Sequence, residues 1–276
     1  MSRITCSICP HHCALAPGQI GLCRARGNVD GKVTAVNYGL VTAAALDPIE
    51  KKPLYHFYPS SMILSLGSFG CNLHCPFCQN FEIAAVSREQ TQVQSLAPEH
   101  AVELAETLKN RGNIGLAYTY NEPLVGYEYV YDCSVLAKKR GLKNVLVSNG
   151  FCCREPLAEL LPLIDAVNFD LKAFNDQFYQ KIGGDLETVK ASIELAAGQT
   201  HLEVTTLIIP GENDSEEEIR ELARWLASIR RDIPLHLSRF FPRHKYADRN
   251  PTDVMRLKRL AETARSELEH VYLGNV

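Results

Sequence analysis

The chain of 276 residues is 46% hydrophobic and 22% charged, with a formal net charge of −3. That balance excludes a disordered chain and gives no basic footprint for nucleic acid. No apolar run nears the roughly 20 residues of a membrane span, and the N-terminus lacks a secretory apolar region, so a cytoplasmic protein is expected, with neither membrane nor nucleic acid as partner.

A chain of this length buries roughly three quarters of its unfolded surface and needs no disulfide or metal to hold a core. Ten cysteines therefore ask for another explanation, and seven of them fall in two short groups. Clustered thiols in an ordinary globular chain read as metal or iron–sulfur ligands rather than as a secreted disulfide framework. Cys133, Cys152 and Cys153 stand apart from both groups, and the last two read as small buried hydrophobes.

Residues 1–61 read as a Cys-rich N-terminal cap. Cys6, Cys9, Cys13 and Cys23 have the spacing C-x2-C-x3-C-x9-C. Four such thiols close either a structural zinc site or a second cluster, and the spacing leaves both open. His11 and His12 beside them read as loop residues. Asp30-Gly31 marks a turn, with a hairpin around Val33–Tyr38.

From Met62 to the end, strand-like and helix-like segments alternate. Short β-branched runs stand at Met62–Leu66, Ile114–Thr119, Asn144–Ser148, Ala166–Phe169, Leu202–Ile209 and Leu235–Phe240. Between or after them lie stripes of helical period: Leu186, Val189, Ile193 and Ala196; Ile219, Leu222, Leu226 and Ile229; Val254, Leu257, Ala261, Ala264 and Leu268. Ser215 followed by Glu218 reads as a capping box, which gives Glu216–Glu218 a structural role at a helix start. Six strand–helix alternations predict an α/β fold, a partial (β/α)6 TIM-like barrel over 62–276. Ligands of such folds bind at the C-terminal ends of the strands.

The loop after the first of those strands carries Cys71-Asn72-Leu73-His74-Cys75-Pro76-Phe77-Cys78. Three thiolates within eight residues suit three corners of a [4Fe–4S] cluster and leave the fourth iron open, whereas electron-carrying ferredoxins close all four. The alternative is a zinc site completed by His74 or a remote residue. The pattern C-x3-C-x2-C, with an aromatic before its last Cys, resembles the signature of the radical S-adenosylmethionine (SAM) superfamily. That resemblance implies that the open iron chelates SAM, that the reduced cluster releases a 5′-deoxyadenosyl radical, and that Phe77 lies near the adenine through main-chain contacts.

Other strand ends extend the resemblance. Thr119-Tyr120-Asn121-Glu122-Pro123 is similar to a Gly-Gly-Glu-Pro segment that binds the SAM amino group, with Tyr120-Asn121 in place of the two glycines. Glu122 suits an ammonium through charge-assisted hydrogen bonds. Val147-Ser148-Asn149-Gly150 and Asn168-Phe169-Asp170-Leu171-Lys172 resemble segments of the glycyl-radical-enzyme activases, the branch of the pyruvate formate-lyase activating enzyme. There the resemblance implies that Ser148, Asn149, Asp170 and Lys172 line the SAM site. A monovalent cation would also sit by Asp170, although Val147 stands where that branch has a second acidic ligand. Arg239, in Ser238-Arg239-Phe240-Phe241-Pro242, is a candidate carboxylate contact because its planar fork binds bidentately.

The N-terminal Cys segment, Asp47-Pro48-Ile49-Glu50-Lys51-Lys52-Pro53-Leu54-Tyr55-His56-Phe57 and the closing Tyr272-Leu273-Gly274-Asn275-Val276 resemble the AmmeMemoRadiSam-system radical SAM enzymes, so the likeness spans nearly the whole chain. It implies an electron donor of the flavodoxin or ferredoxin kind and admits a Memo-like partner. The expected function is reductive cleavage of SAM and hydrogen abstraction from an unidentified substrate. Two alternatives stand beside it: activation of a glycyl radical enzyme, with a partner protein as substrate, and a non-catalytic iron–sulfur or zinc electron-transfer module.

Overall fold

The computed structural model describes residues 2–276. Eight strands form one sheet whose spatial order follows the chain: β1 (Ala43–Pro48), β2 (Met62–Gly67), β3 (Asn113–Tyr118), β4 (Lys143–Ser148), β5 (Ala166–Asp170), β6 (His201–Ile208), β7 (Leu235–Arg239) and β8 (Val271–Gly274). β1 pairs antiparallel with β2, and every later neighbour pairs in parallel. The seven longer helices are α1 (Pro98–Thr107), α2 (Tyr127–Lys139), α3 (Arg154–Leu160), α4 (Asp176–Ile182), α5 (Leu186–Ala197), α6 (Glu216–Ile229) and α7 (Val254–Arg265). The six strand–helix units expected from the sequence are therefore present, and the sheet gains a further strand at each edge. β1 comes from the segment read as the cap, so the expected division at 61/62 falls between two paired strands.

Alternation along each strand sorts the interior into two compartments. Leu64, Leu116, Leu146, Val167, Val204 and Leu237 face outward into one large core with the apolar stripes of α1 to α7. Ile63, Ala117, Val145 and Ala166 face the other way and bury against Ile49, Leu54 and Phe57. The segment from Ile49 to Phe57 thus fills the barrel below the C-terminal ends of the strands. Glu203, inward on β6, accepts hydrogen bonds from the backbone N–H of Tyr55 (3.0 Å) and His56 (2.7 Å). Asn168, inward on β5, donates to the Pro53 carbonyl over 2.8 Å.

The N-terminal part is built from short hairpins. Arg26–Val29 pairs with Lys32–Ala35 across Asp30 (φ 49°) and Gly31 (φ 77°), two successive left-handed residues as a type I′ turn requires. The expected turn is in place, and the strand after it ends at Ala35 rather than reaching Tyr38.

Ser215 caps α6 by accepting from Glu218 N over 3.1 Å. The box does not close as expected. The Glu218 carboxylate turns instead to Phe174 N (2.7 Å) and Asn175 Nδ2 (2.8 Å), because the loop after β5 offers two donors that nothing else satisfies. No helix among the described residues is long and apolar enough to cross a membrane.

Candidate functional site

The loop that leaves β2 is fixed from several sides. Gly70 has φ +90°, and a Cβ there would stand 2.5 Å from the Cys23 carbonyl and 2.7 Å from the Ala25 methyl, so only glycine admits this approach. Cys71 N donates to that same Cys23 carbonyl over 3.1 Å. Asn72 Nδ2 donates to Phe151 O at 2.6 Å, His74 N to Ile182 O at 3.0 Å, and Lys245 N to Pro76 O at 2.9 Å. The loop arrives preformed.

Cys71, Cys75 and Cys78 line one cavity of about 380 Å³ at the C-terminal ends of the strands. Its walls include the inward residues Thr119, Val147, Asp170, Thr205, Leu207 and Ser238. Burial pushes the Cys75 thiol up to about 12, opposed by the nearby Lys172 charge, and raises Cys71 and Cys78 as well. Leu73 N donates to Cys71 Sγ over 3.4 Å, and Asn149 Nδ2 lies 3.6 Å from the same sulfur, donors that favour a thiolate there.

Among the described residues, no three His, Cys, Asp or Glu side chains converge on the position of a single ion. Three thiols disposed around a wide cavity, with no fourth cysteine among the lining residues, suit the corners of a four-iron cube with one corner free for another ligand. The residues present therefore fit the group.

Glu122 stands beside them, 3% exposed. One carboxylate oxygen accepts from Leu124 N (3.0 Å) and Ser148 Oγ (2.8 Å), the other from Asn149 N (2.8 Å). Burial nevertheless raises its carboxyl to about 7, the three hydrogen bonds offsetting part of that rise. The second oxygen keeps a lone pair for an ammonium. Asn149 also donates to Asn72 Oδ1 at 2.9 Å, which couples the Ser148-Asn149 segment to the cysteine loop. Across the cavity Lys172 Nζ meets Asp170 Oδ2 at 3.0 Å. Burial works against the Lys172 charge, but Asp170 and the Cys75 sulfur hold it above the ordinary lysine range.

Of the residues singled out in the sequence, Cys71, Cys75, Cys78, Phe77, Asn121, Glu122, Ser148, Asn149, Asp170 and Lys172 all line this cavity. The Phe77 ring is turned into the core, against Phe178 (5.7 Å) and Tyr246 (6.1 Å). The Asn121 amide is spent on backbone: it accepts from Ser68 N and donates to the carbonyls of Phe69, Gly70 and Glu122. Arg239 is not among the lining residues. Ser238 takes the inward place on β7, so its neighbour points away, donates to Thr252 O and lies over the Phe241 ring.

The sequence reading missed the opposite wall, made by Lys51, Lys52, Pro53 and Tyr120. Asp47 accepts from Lys51 Nζ (2.9 Å), from Lys52 Nζ (2.9 Å) and from the Tyr120 hydroxyl. Burial disfavours the Asp47 charge, but these three donors hold its carboxyl below the usual carboxylate range. Tyr120 takes φ 72°, where a glycine is at ease, and its ring packs so closely on Gly67 that a Cβ there would lie 2.7 Å from it. The sequence held two signals of it, the Asp47–Phe57 segment and the tyrosine at position 120.

Cys6, Cys9, Cys13 and Cys23 come together around a second, much smaller cavity of about 10 Å³, with Arg26 and Val125 on its wall. All four are free thiols. Burial pushes Cys9 up to about 12 and Cys23 upward. His11 also lines this cavity, and its Nε2 lies 2.8 Å from Asn72 O.

Comparison with known proteins agrees with this geometry. The family model of the radical SAM superfamily matches residues 66–226, more than half of the chain. The "Uncharacterized protein MJ0808" of Methanocaldococcus jannaschii is 41% identical over 280 residues, covering 100% of this chain and 82% of that protein. The pyruvate formate-lyase 1-activating enzyme of Escherichia coli is 27% identical over 161 residues, 56% of this chain and 65% of that enzyme. Among solved structures, Streptococcus suis SuiB superposes with a TM-score of 0.60 at 14% identity, over 77% of this chain and 50% of that one, a likeness of fold alone. With a barrel of this topology and three cysteines placed at its open end, the chain belongs to the radical SAM superfamily.

Proposed function

We propose that the protein is a radical SAM enzyme that starts hydrogen-abstraction chemistry on a substrate held in the 380 Å³ cavity. The observation that carries this reading is the placing of Cys71, Cys75 and Cys78 on one cavity with the buried Glu122 carboxylate. When bound, the cluster and SAM supply a 5′-deoxyadenosyl radical after one-electron reduction by a donor of the flavodoxin or ferredoxin type. The three cysteines would hold three irons. Glu122, oriented by Ser148 and Asn149, would take the SAM ammonium through its spare lone pair. Asp170 and Lys172 would face the polar remainder of SAM, and the main chain of Phe77 the adenine, its ring being packed in the core.

A second reading is supported by relatives named as activating enzymes, the E. coli pyruvate formate-lyase 1-activating enzyme among them. On that reading the substrate is a glycine of a partner protein. Cys6, Cys9, Cys13 and Cys23 would bind a metal as a unit, zinc or a second cluster, a reading supported by their spacing and shared cavity, although their thiols do not converge on one ion position.

The deciding experiment is anaerobic reconstitution followed by reduction with dithionite in the presence of SAM. The wild type should release 5′-deoxyadenosine and Cys75→Ala should not. A fully iron-loaded wild type that releases none would leave only the electron-transfer module. A glycyl radical signal on a co-purified large partner would select the activase reading, and metal analysis of Cys9→Ser would identify the N-terminal metal.

A further inference from the structure

We propose that the Lys51–Lys52 wall of the cavity binds an anionic group of the substrate, a carboxylate or a phosphate. The Lys52 side chain is 2% exposed, yet among the described residues its ammonium has a single hydrogen-bond acceptor, Asp47 Oδ2 at 2.9 Å. An ammonium carries three donors, and a buried one left with unspent N–H groups is destabilising. The Tyr120 ring, its centroid 4.5 Å from Nζ, offers a cation–π contact and not a hydrogen-bond acceptor. Nor is Asp47 free to do more, since its other oxygen serves Lys51 and the second is shared with the Tyr120 hydroxyl.

Charge bookkeeping points the same way. Two ammonium groups face one carboxylate here, while burial pushes the Tyr120 phenol up to about 12 and so keeps it neutral. On the SAM side the balance is the reverse, with Lys172 paired to Asp170 and the Glu122 carboxylate left without a cation. The local excess of positive charge therefore lies at Lys51 and Lys52, beside Tyr120. Burial lowers the Lys52 pKa and Asp47 restores only part of it, which an incoming anion would complete.

This inference rests on reading the cavity as the one that SAM shares with the substrate, and it is tested without the radical reaction. The full-length chain, reconstituted with iron and sulfide under anaerobic conditions, is titrated calorimetrically with inorganic phosphate and with malonate. One anion should bind per chain, and the tighter of the two probes tells phosphate from carboxylate chemistry. Lys52→Met should weaken binding by about tenfold or more, as for loss of a charged hydrogen bond. Lys52→Arg should retain it, and Asp47→Asn should tighten it by removing the competing carboxylate.

Circular dichroism and iron content report folding. Should Lys52→Met fail to fold, Lys51→Gln and Asp47→Asn decide, and unchanged affinity in both overturns the proposal. So does a wild type that binds neither probe, or binding abolished by Lys172→Met but not by Lys52→Met. Release of 5′-deoxyadenosine by the same preparation is scored separately, so an anion site without SAM cleavage sinks the proposed reaction and not this site.

Discussion

Cys71 and Cys23 are joined by one hydrogen bond, from the backbone N–H of the first to the backbone carbonyl of the second, 3.1 Å long. One member of each cysteine group thus touches the other group through main chain alone. The contact exists because Gly70, at φ +90°, lets the two segments close. Gly70→Ala should force them apart, destabilise the chain by about 2 kcal/mol and lower iron retained per chain. Anaerobic urea unfolding and iron analysis check both outcomes. Full iron content in a stable variant would show that the contact has no bearing on the cysteine loop.

Asn121 offers a second handle on the same loop. Its amide joins Ser68, Phe69, Gly70 and Glu122 backbone groups, so Asn121→Ala leaves several of them unmet at once. A loss of about 2 kcal/mol is expected, with faster release of the cluster on exposure to a chelator. Iron-release kinetics followed by visible absorbance measure it.

For SAM, the expectation concerns Glu122. Glu122→Gln keeps the shape and the acceptor toward Ser148 but removes the negative charge offered to an ammonium. SAM affinity, read by calorimetry on reconstituted protein, should fall by about tenfold or more.

Acid stability follows from Glu203. Burial alone would raise its carboxyl, but His201 Nε2 (2.9 Å), His236 Nε2 (2.6 Å) and the two backbone N–H groups bring it down to about 2 from an ordinary 4.5. An ionised carboxylate only accepts, so both imidazoles present Nε2–H to it. Because the folded value lies below the unfolded one, the stabilisation is complete above pH 4.5 and fades as pH falls toward 2. Glu203→Gln should therefore cost on the order of 3 kcal/mol near neutrality. That gap to wild type should narrow through the acidic window, as denaturant unfolding at stepped pH would reveal.

Much of the barrel was legible because its residues repeat. The stripe Ile219, Leu222 and Leu226 is buried along α6, and Leu186, Val189, Ile193 and Ala196 along α5. The stripe read through Leu268 overshoots α7, which stops at Arg265, because a turn carries Leu268 into the same core. β1 and β8 were missed for a different reason: Ala43–Pro48 has no β-branched or aromatic residue, and Val271–Gly274 is only four residues long. In the site, Glu122, Asn149 and Lys172 were reached through the resemblance of their strand-end segments to radical SAM enzymes, and all three line the cavity. Lys52 escaped, since a lysine in sequence reads as solvated and only tertiary structure reveals a partner such as Asp47. Arg239 fell one residue out of phase, where the pleat decides orientation and sequence distance does not.

The stopper made by Ile49 to Phe57 has a bearing on how the chain matures. Tyr55 and His56 wait for Glu203 across sequence separations of 148 and 147, and His56 reaches the Tyr272 hydroxyl across 216. A nascent chain on the ribosome would carry its metal-seeking thiols long before these distant partners emerge to complete the chamber. Pairings of such long range form slowly, so insertion of iron is best deferred until the last strands have been synthesised.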